Sequence, residues 1–170
     1  DVPTTIIKIV KNGSEYSFVP GHTETYVADI DCERPIFGAT TDINHGIGYN
    51  RLEDWIFGRS YILRLVAKQY EKQPDGSFQA QEQNLDMNKY LTILKAQSVK
   101  PYCNAVEDLR YVKDLFTPMI DEPESFTCSA LVWYAAKKAF GFNLSGLIFP
   151  IITPSGIVMD DNTMIIGTIE

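Results

Sequence analysis

Two residues of this chain, Cys128 and His22, have the types and surroundings that nucleophilic catalysis requires. Cys128 lies in the first turn of a predicted helix, where unpaired backbone N–H groups and the positive end of the helix dipole favour a thiolate. The N–H groups of Cys128 and Ser129 would donate hydrogen bonds to the oxyanion that forms when a thiolate attacks a carbonyl. His22 opens a predicted strand and would act as the base and proton carrier. The pair predicts acyl transfer through a thioester.

The same two residues also have an ordinary structural interpretation. An unpaired cysteine is most often a small buried hydrophobe. Leu131, Val132 and Ala135 follow Cys128 at helical spacing, so the face that carries the thiol is predicted to be buried. A single histidine after a glycine is more often a turn or surface residue. The local pattern alone therefore favours an inert thiol.

The remaining candidate residues predict no cofactor. The only other histidine, His45, lies in a segment rich in Gly and Asn and is expected to be exposed. The chain has no CxxC pattern, no HExxH pattern and three irregularly spaced cysteines, so we expect neither a metal nor an organic cofactor. The sequence does not decide whether Cys32 and Cys103 form a disulfide.

Composition and charge restrict the class of protein. Hydrophobic residues make up 45% and charged residues 22% of the 170 residues, which is typical of a globular chain with a single domain over residues 1–170. The formal net charge of -7 repels phosphate backbones, so no nucleic-acid partner is expected. No apolar run reaches the length of about 20 residues that a membrane span needs. The first residues do not resemble a signal peptide, and a secreted or periplasmic location would require removal of an upstream signal.

A mixed set of predicted elements must position the two residues, which indicates an α+β fold. β-branched and aromatic residues predict strands at 23–28, 36–40, 60–66 and 163–169, the third of them central in its sheet. Apolar spacing and stop signals predict helices at 4–10, 79–97, 106–116 and 126–140. Ser125 is the expected N-cap of the last helix, Gly141 is expected to end it, and residues 42–50 are expected to form a loop.

Several short motifs resemble those of one enzyme family. Residues 126–133 (FTCSALVW) resemble the nucleophile helix of the NlpC-type papain-like cysteine peptidases, and residues 21–27 (GHTETYV) resemble their histidine strand. The cysteine ordinarily precedes the histidine in that family. Here it follows by about a hundred residues, which is the order of the circularly permuted branch, the YiiX-like amidases. Four further segments resemble that branch: 38–40 (GAT), 52–55 (LEDW), 100–102 (KPY) and 152–155 (ITPS).

The resemblance, which spans most of the chain, implies a permuted papain-like domain with a small antiparallel sheet packed against helices. It implies a thiol hydrolase, an amidase or peptidase, with Cys128 as nucleophile and His22 as base. The implied substrates are small-molecule, peptide or lipid-linked amides, such as cell-wall peptides or lipid-linked amino acids. Esters and thioesters are further candidates.

The polar group that orients the imidazole is the part of the predicted site that the sequence leaves open. In the family it would fall at or beside Gly38, which has no side chain. Thr40, Glu33, Asp31 or a backbone carbonyl could take the role. The missing side chain also leaves an alternative, a catalytically inert papain-like module that binds a peptide or lipid ligand.

Overall fold

Short strands and a few helices alternate along the chain, which has an α+β fold with small antiparallel sheets. This computed structural model describes residues 7–11, 14–18, 22–27, 33–40, 46–54, 60–103, 122–144 and 152–169. The strands are β1 (Ile7–Lys11), β2 (Ser14–Phe18), β3 (Thr25–Tyr26), β4 (Ile36–Thr40), β5 (Gly46–Asn50), β6 (Ser60–Leu65), β7 (Ala67–Lys72), β8 (Phe78–Gln83) and β9 (Thr163–Ile169). The helices are α1 (Met87–Lys95), α2 (Cys128–Phe140) and α3 (Pro154–Met159), and 3₁₀ turns span Leu52–Asp54 and Ala96–Val99.

A three-stranded antiparallel sheet in the order β3-β4-β5 lies at the centre of the described residues. All five residues of β4 are buried, as expected of a middle strand covered on both faces. Phe37 and Ala39 of β4 and Ile47 of β5 pack in the hydrophobic core together with α2. The helix that begins at Cys128 therefore packs against one face of this sheet.

Helix α2 is buried over most of its length, with ten buried residues among its thirteen. Its composition, rich in Ala and aromatic residues, is apolar on nearly every side, which is the pattern of a helix enclosed by other elements. The helix ends at Gly141, whose φ of 78° lies in the left-handed region that glycine adopts without strain.

Helix α1 packs along α2 and carries Tyr90 into the core. Asp86 caps its first turn by accepting a hydrogen bond from the Lys89 N–H at 3.2 Å. The Tyr90 ring lies parallel to that of Phe140 at the end of α2, with centroids 6.1 Å apart.

The other described strands form two-stranded antiparallel sheets, β1 with β2, β6 with β9, and β7 with β8. Strand β6 alternates between partly buried and exposed residues, and in the described residues it pairs with β9 alone. The expectation that residues 60–66 form a central strand is therefore wrong. The long apolar run reflects one covered face, with Ile62 left exposed on the other.

Strands replace one predicted helix over its described residues and the first part of another. The helix expected at 4–10 is wrong over the described residues, because Ile7–Lys11 is a strand. The helix expected at 79–97 holds only from Met87, because Phe78–Gln83 pairs with β7 as a hairpin. Gly76, with φ 86°, makes the tight turn of that hairpin, and such a turn outweighs the modest helix propensity of the glutamines that follow.

The remaining predicted elements complete the comparison. The strands at 36–40 and 163–169 are confirmed, and the helix at 126–140 is confirmed with its start moved to Cys128. The predicted loop at 42–50 is wrong in its second half, which forms β5. The helix expected at 106–116 lies outside the described residues. No helix in the described segments is long and apolar enough to cross a membrane.

Candidate active site

Cys128 is the first residue of α2, and the cap of that helix fixes its position. Thr127, rather than the expected Ser125, is the N-cap: its Oγ1 accepts from the Ala130 N–H at 3.2 Å, and its carbonyl accepts from the Leu131 N–H at 3.1 Å. These bonds use the third and fourth amides of the helix. Helix geometry leaves the two earlier amides, those of Cys128 and Ser129, without an intrahelical acceptor.

The Ser129 side chain anchors the first turn from the opposite direction. Its Oγ donates to the Ile152 carbonyl at 2.8 Å, and both residues are buried. Ile152 directly precedes Thr153, the N-cap of α3. This hydrogen bond links the first turn of α2 to the segment that starts α3, so the Ser129 hydroxyl has a structural role.

The segment that leads into α2 is held by its neighbours. Cys103 donates its N–H to the Phe126 carbonyl at 2.9 Å, and Phe126 donates to the Pro101 carbonyl at 3.2 Å. Gly46 of β5 bridges to Pro101, so these contacts extend the central sheet toward the start of the helix. Lys100 also holds this segment, because its Nζ donates to the Pro123 carbonyl at 2.7 Å.

His22 lies just before β3 and is three-quarters buried, with 24% of its side chain exposed. Its Nε2 lies 2.6 Å from Oε1 of Glu24, a short, charge-assisted contact. The two residues are separated by one position, and side chains at i and i+2 of an extended segment point to the same face. The extended backbone between them therefore explains why the carboxylate reaches the ring.

The thiol of Cys128 is the second group in contact with the imidazole. A hydrogen bond between the two side chains contributes to the pKa of His22, and Nε2 is already engaged by Glu24. The ring thus lies between the thiol and a carboxylate. In that position the carboxylate can orient the base and stabilise its charged form.

The electrostatics of His22 follow from these contacts. Burial lowers its pKa, but the hydrogen bonds and charges of Cys128 and Glu24 outweigh burial and raise the pKa from 6.5 to about 9. At neutral pH the ring is therefore an imidazolium.

Glu24 is buried with its ring partner, and its surroundings pull its pKa in two directions. Burial raises the pKa of the carboxyl group, while the hydrogen bond and charge of His22 and the hydrogen bond from Asn50 oppose that rise. Asn50 Nδ2 donates to Glu24 Oε1 at 3.2 Å, and Asn50 is itself buried at the end of β5. In the described part of the chain the other carboxylate oxygen, Oε2, has no hydrogen-bond partner.

The structure brings Cys128 and His22 together, as predicted, and adds a carboxylate that the sequence analysis did not select. Of the three side chains considered for orienting the ring, Thr40 is buried at the end of β4, Glu33 is exposed, and Asp31 lies outside the described residues. The signal that could have identified Glu24 is the His-x-Glu spacing in a predicted strand.

The other candidate residues of the sequence analysis are Cys103, Cys32 and His45. Cys103 is buried and is not in a disulfide, and Cys32 and His45 lie outside the described residues. Within those described residues no group of three or more His, Cys, Asp or Glu side chains could hold a metal ion. The groups that remain in contact are the thiol of Cys128, the imidazole of His22 and the carboxyl group of Glu24.

Comparison of the chain with models of protein families, with curated proteins and with solved structures finds no match. The function therefore has to be argued from the geometry of Cys128, His22 and Glu24.

Proposed function

We propose that this protein is a cysteine hydrolase of amide bonds, with Cys128 as nucleophile, His22 as base and Glu24 as the group that orients the imidazole. The observation that carries the proposal is the contact of one histidine ring with both a helix N-terminal thiol and a carboxylate. A nucleophile in contact with a base, which is in turn oriented by a third group, is the general signature of covalent catalysis.

The proposed reaction uses each group in turn. The Cys128 thiolate attacks the substrate carbonyl, and the N–H groups of Cys128 and Ser129 donate to the oxyanion. The His22 imidazolium then gives its proton to the leaving amine, so that the C–N bond breaks and a thioester remains. A water molecule, deprotonated by His22, attacks the thioester and releases the acid and the thiol.

Glu24 would keep the imidazole in one tautomer and one orientation. A carboxylate on Nε2 leaves Nδ1 facing the sulfur and stabilises the charged ring. Burial makes this interaction stronger than it would be in water, because little solvent screens the pair.

For the fold we propose a papain-like domain in permuted order. The α2 helix begins at the proposed nucleophile and packs against an antiparallel sheet, and the proposed base lies just before the first strand of that sheet, earlier in the chain. The substrate class follows from the resemblance to permuted NlpC-type amidases: amides in cell-wall peptides or lipid-linked amino acids, with esters and thioesters also accepted. The alternative of an inert binding module depended on a missing side chain at Gly38, and the Glu24 contact weighs against it.

The first experiment is the rate of alkylation of Cys128 by iodoacetamide across the pH range, in the wild-type chain and in His22→Ala. We expect rapid alkylation at neutral pH that the substitution abolishes, since the thiolate loses its counter-ion. Buried Cys103 in the same molecule is the matched control, and peptide mass spectrometry separates the two sites. Slow alkylation of Cys128 in both proteins would contradict the proposal of a hydrolase. The fold would then serve another function.

A further inference from the structure

Gly38 lies in the middle of β4, opposite the carboxylate of Glu24. The register of β3 with β4 pairs Thr25 with Phe37, and continuing it by one residue places Glu24 beside Gly38. A Cβ atom built on Gly38 would lie 2.6 Å from Oε1 of Glu24 and closer still to Oε2 and Cδ. The carboxylate therefore fills the space that any other residue at position 38 would occupy.

We propose that Gly38 is a positioning residue of the active site: its missing side chain is the space in which the Glu24 carboxylate reaches His22. The inference rests on the proposed function for its catalytic meaning. The effect on the imidazole itself is independent of any substrate.

The backbone gives no other reason for a glycine at this position. The described glycines with a positive φ are Gly76 and Gly141, and Gly38 is not among them. Glycine in the interior of a strand costs stability, since it loses more conformational freedom and packs no side chain. Its presence in a fully buried middle strand is explained by the close approach of Glu24.

The neighbouring glycine of the same sheet shows that the requirement is local. Gly48 of β5 pairs directly with Gly38, and a Cβ atom built on Gly48 would meet nothing within 4 Å. The two positions share strand geometry and a cross-strand row, but only one faces the carboxylate. Gly48→Ala is therefore a matched control for Gly38→Ala.

Glu24 has little freedom to move aside. Oε1 is held by His22 at 2.6 Å and by Asn50 at 3.2 Å, while Oε2 faces Gly38 without a hydrogen-bond partner in the described residues. A methyl group at position 38 must push the carboxylate away from the sheet, and the bond to Nε2 is lost with that movement.

The test is the titration of the His22 ring, followed by NMR in a chain that also carries His45→Asn so that a single imidazole is observed. In the parent chain the midpoint is expected near 9. Gly38→Ala should lower it by about 1 pH unit or more, because the imidazolium loses its carboxylate, and should slow alkylation of Cys128 at neutral pH. Gly48→Ala should leave both values unchanged.

A double substitution separates this mechanism from general damage to the strand. In a Glu24→Ala chain the carboxylate is already gone, so adding Gly38→Ala should change neither the His22 midpoint nor the thermal unfolding temperature further. Equal effects of Gly38→Ala with and without Glu24 would overturn the proposal, as would a double variant that fails to fold.

The two hypotheses can fail separately. If the chain hydrolyses nothing and Cys128 is unreactive while Gly38→Ala still lowers the His22 midpoint, the hydrolase is excluded and the positioning role of Gly38 stands. If Gly38→Ala leaves the midpoint near 9 in a reactive enzyme, the positioning role is excluded and the hydrolase stands.

Discussion

The hydroxyl groups of Thr25 and Tyr90 hydrogen-bond at 3.0 Å and join strand β3, which begins three residues after His22, to helix α1. Tyr90 is fully enclosed, and burial raises the pKa of its phenol to about 12. Its ring also stacks on Phe140, the last residue of the nucleophile helix. One tyrosine thus connects the short strand β3, two residues in length, to both long helices of the described chain.

Tyr90→Phe is expected to lower the free energy of unfolding by about 1 kcal/mol, because it removes this hydrogen bond and leaves the ring in place. The measurement is urea unfolding of Tyr90→Phe, Thr25→Val and the double variant. The two single effects should not add, since each breaks the same bond. Additive effects would show that the two hydroxyls contribute separately.

The stability of the protein should fall as pH rises from 6.5 to about 9. The pKa of His22 is raised on folding to about 9, so its contribution to stability is complete below 6.5 and is lost as pH rises through the folded value. Urea unfolding at several pH values measures this slope. His22→Ala should flatten the slope over that range, and an unchanged slope would mean that other groups produce it.

Cys128→Ala should lower the pKa of His22. The hydrogen bond and the charge of the thiol both raise that pKa, and alanine supplies neither. The ring therefore becomes easier to deprotonate, and its NMR titration midpoint should move from about 9 toward 6.5. Cys103→Ala, at the other buried thiol, serves as the control and should leave the midpoint in place. A midpoint insensitive to Cys128→Ala would exclude contact between thiol and ring.

Thr127→Ala should lower the free energy of unfolding by about 1 kcal/mol, the usual cost of losing an N-cap side chain. The acceptor that is removed is the Oγ1 that bonds the Ala130 N–H at 3.2 Å. Thr127→Ser keeps that oxygen and is the matched control, and it should retain nearly all of the stability. If both variants lose the same amount, the Thr127 methyl group and not the cap is responsible.

Lys100→Met should destabilise the chain by about 1 to 2 kcal/mol. Lys100 Nζ donates to the Pro123 carbonyl at 2.7 Å and lies 5.2 Å from the Phe126 ring centroid, so it braces the segment before the nucleophile. Lys138, exposed and 5.6 Å from the Tyr134 ring centroid, is a control that contacts a ring without bonding this segment. Lys138→Met is expected to change stability by less than about 0.5 kcal/mol, and equal losses would exclude the bracing role.

The nucleophile helix was the element that the sequence predicted best. Gly141 is a strong stop signal, and the run of apolar residues after Cys128 is long enough to establish a buried helix. The start was displaced by two residues, because Ser125 and Thr127 are both good caps and only the tertiary contacts of Phe126 distinguish them. The described residues of the helix predicted at 4–10, and the first part of the helix predicted at 79–97, are strands because strand pairing outweighs local propensity.

The contact between Cys128 and His22 could be predicted from the sequence, and the contact between His22 and Glu24 could not. Cys128 and His22 have distinctive chemistry, whereas a glutamate two positions after a histidine is an ordinary feature of a strand. The space above Gly38 is a property of the folded sheet, since it requires β3 and β4 to lie side by side. No pattern in the one-dimensional sequence expresses that proximity.

The separation of His22 from Cys128 along the chain has a consequence for the order of biosynthesis. The ribosome completes the segment around His22 long before helix α2 exists, so a nascent chain cannot yet bring His22 and Cys128 into contact. Bringing the two residues together closes a loop of about a hundred residues, at an entropic cost on the order of 4 kcal/mol. The reactivity of the Cys128 thiol should therefore appear late in refolding, and its alkylation would report when the native structure is complete.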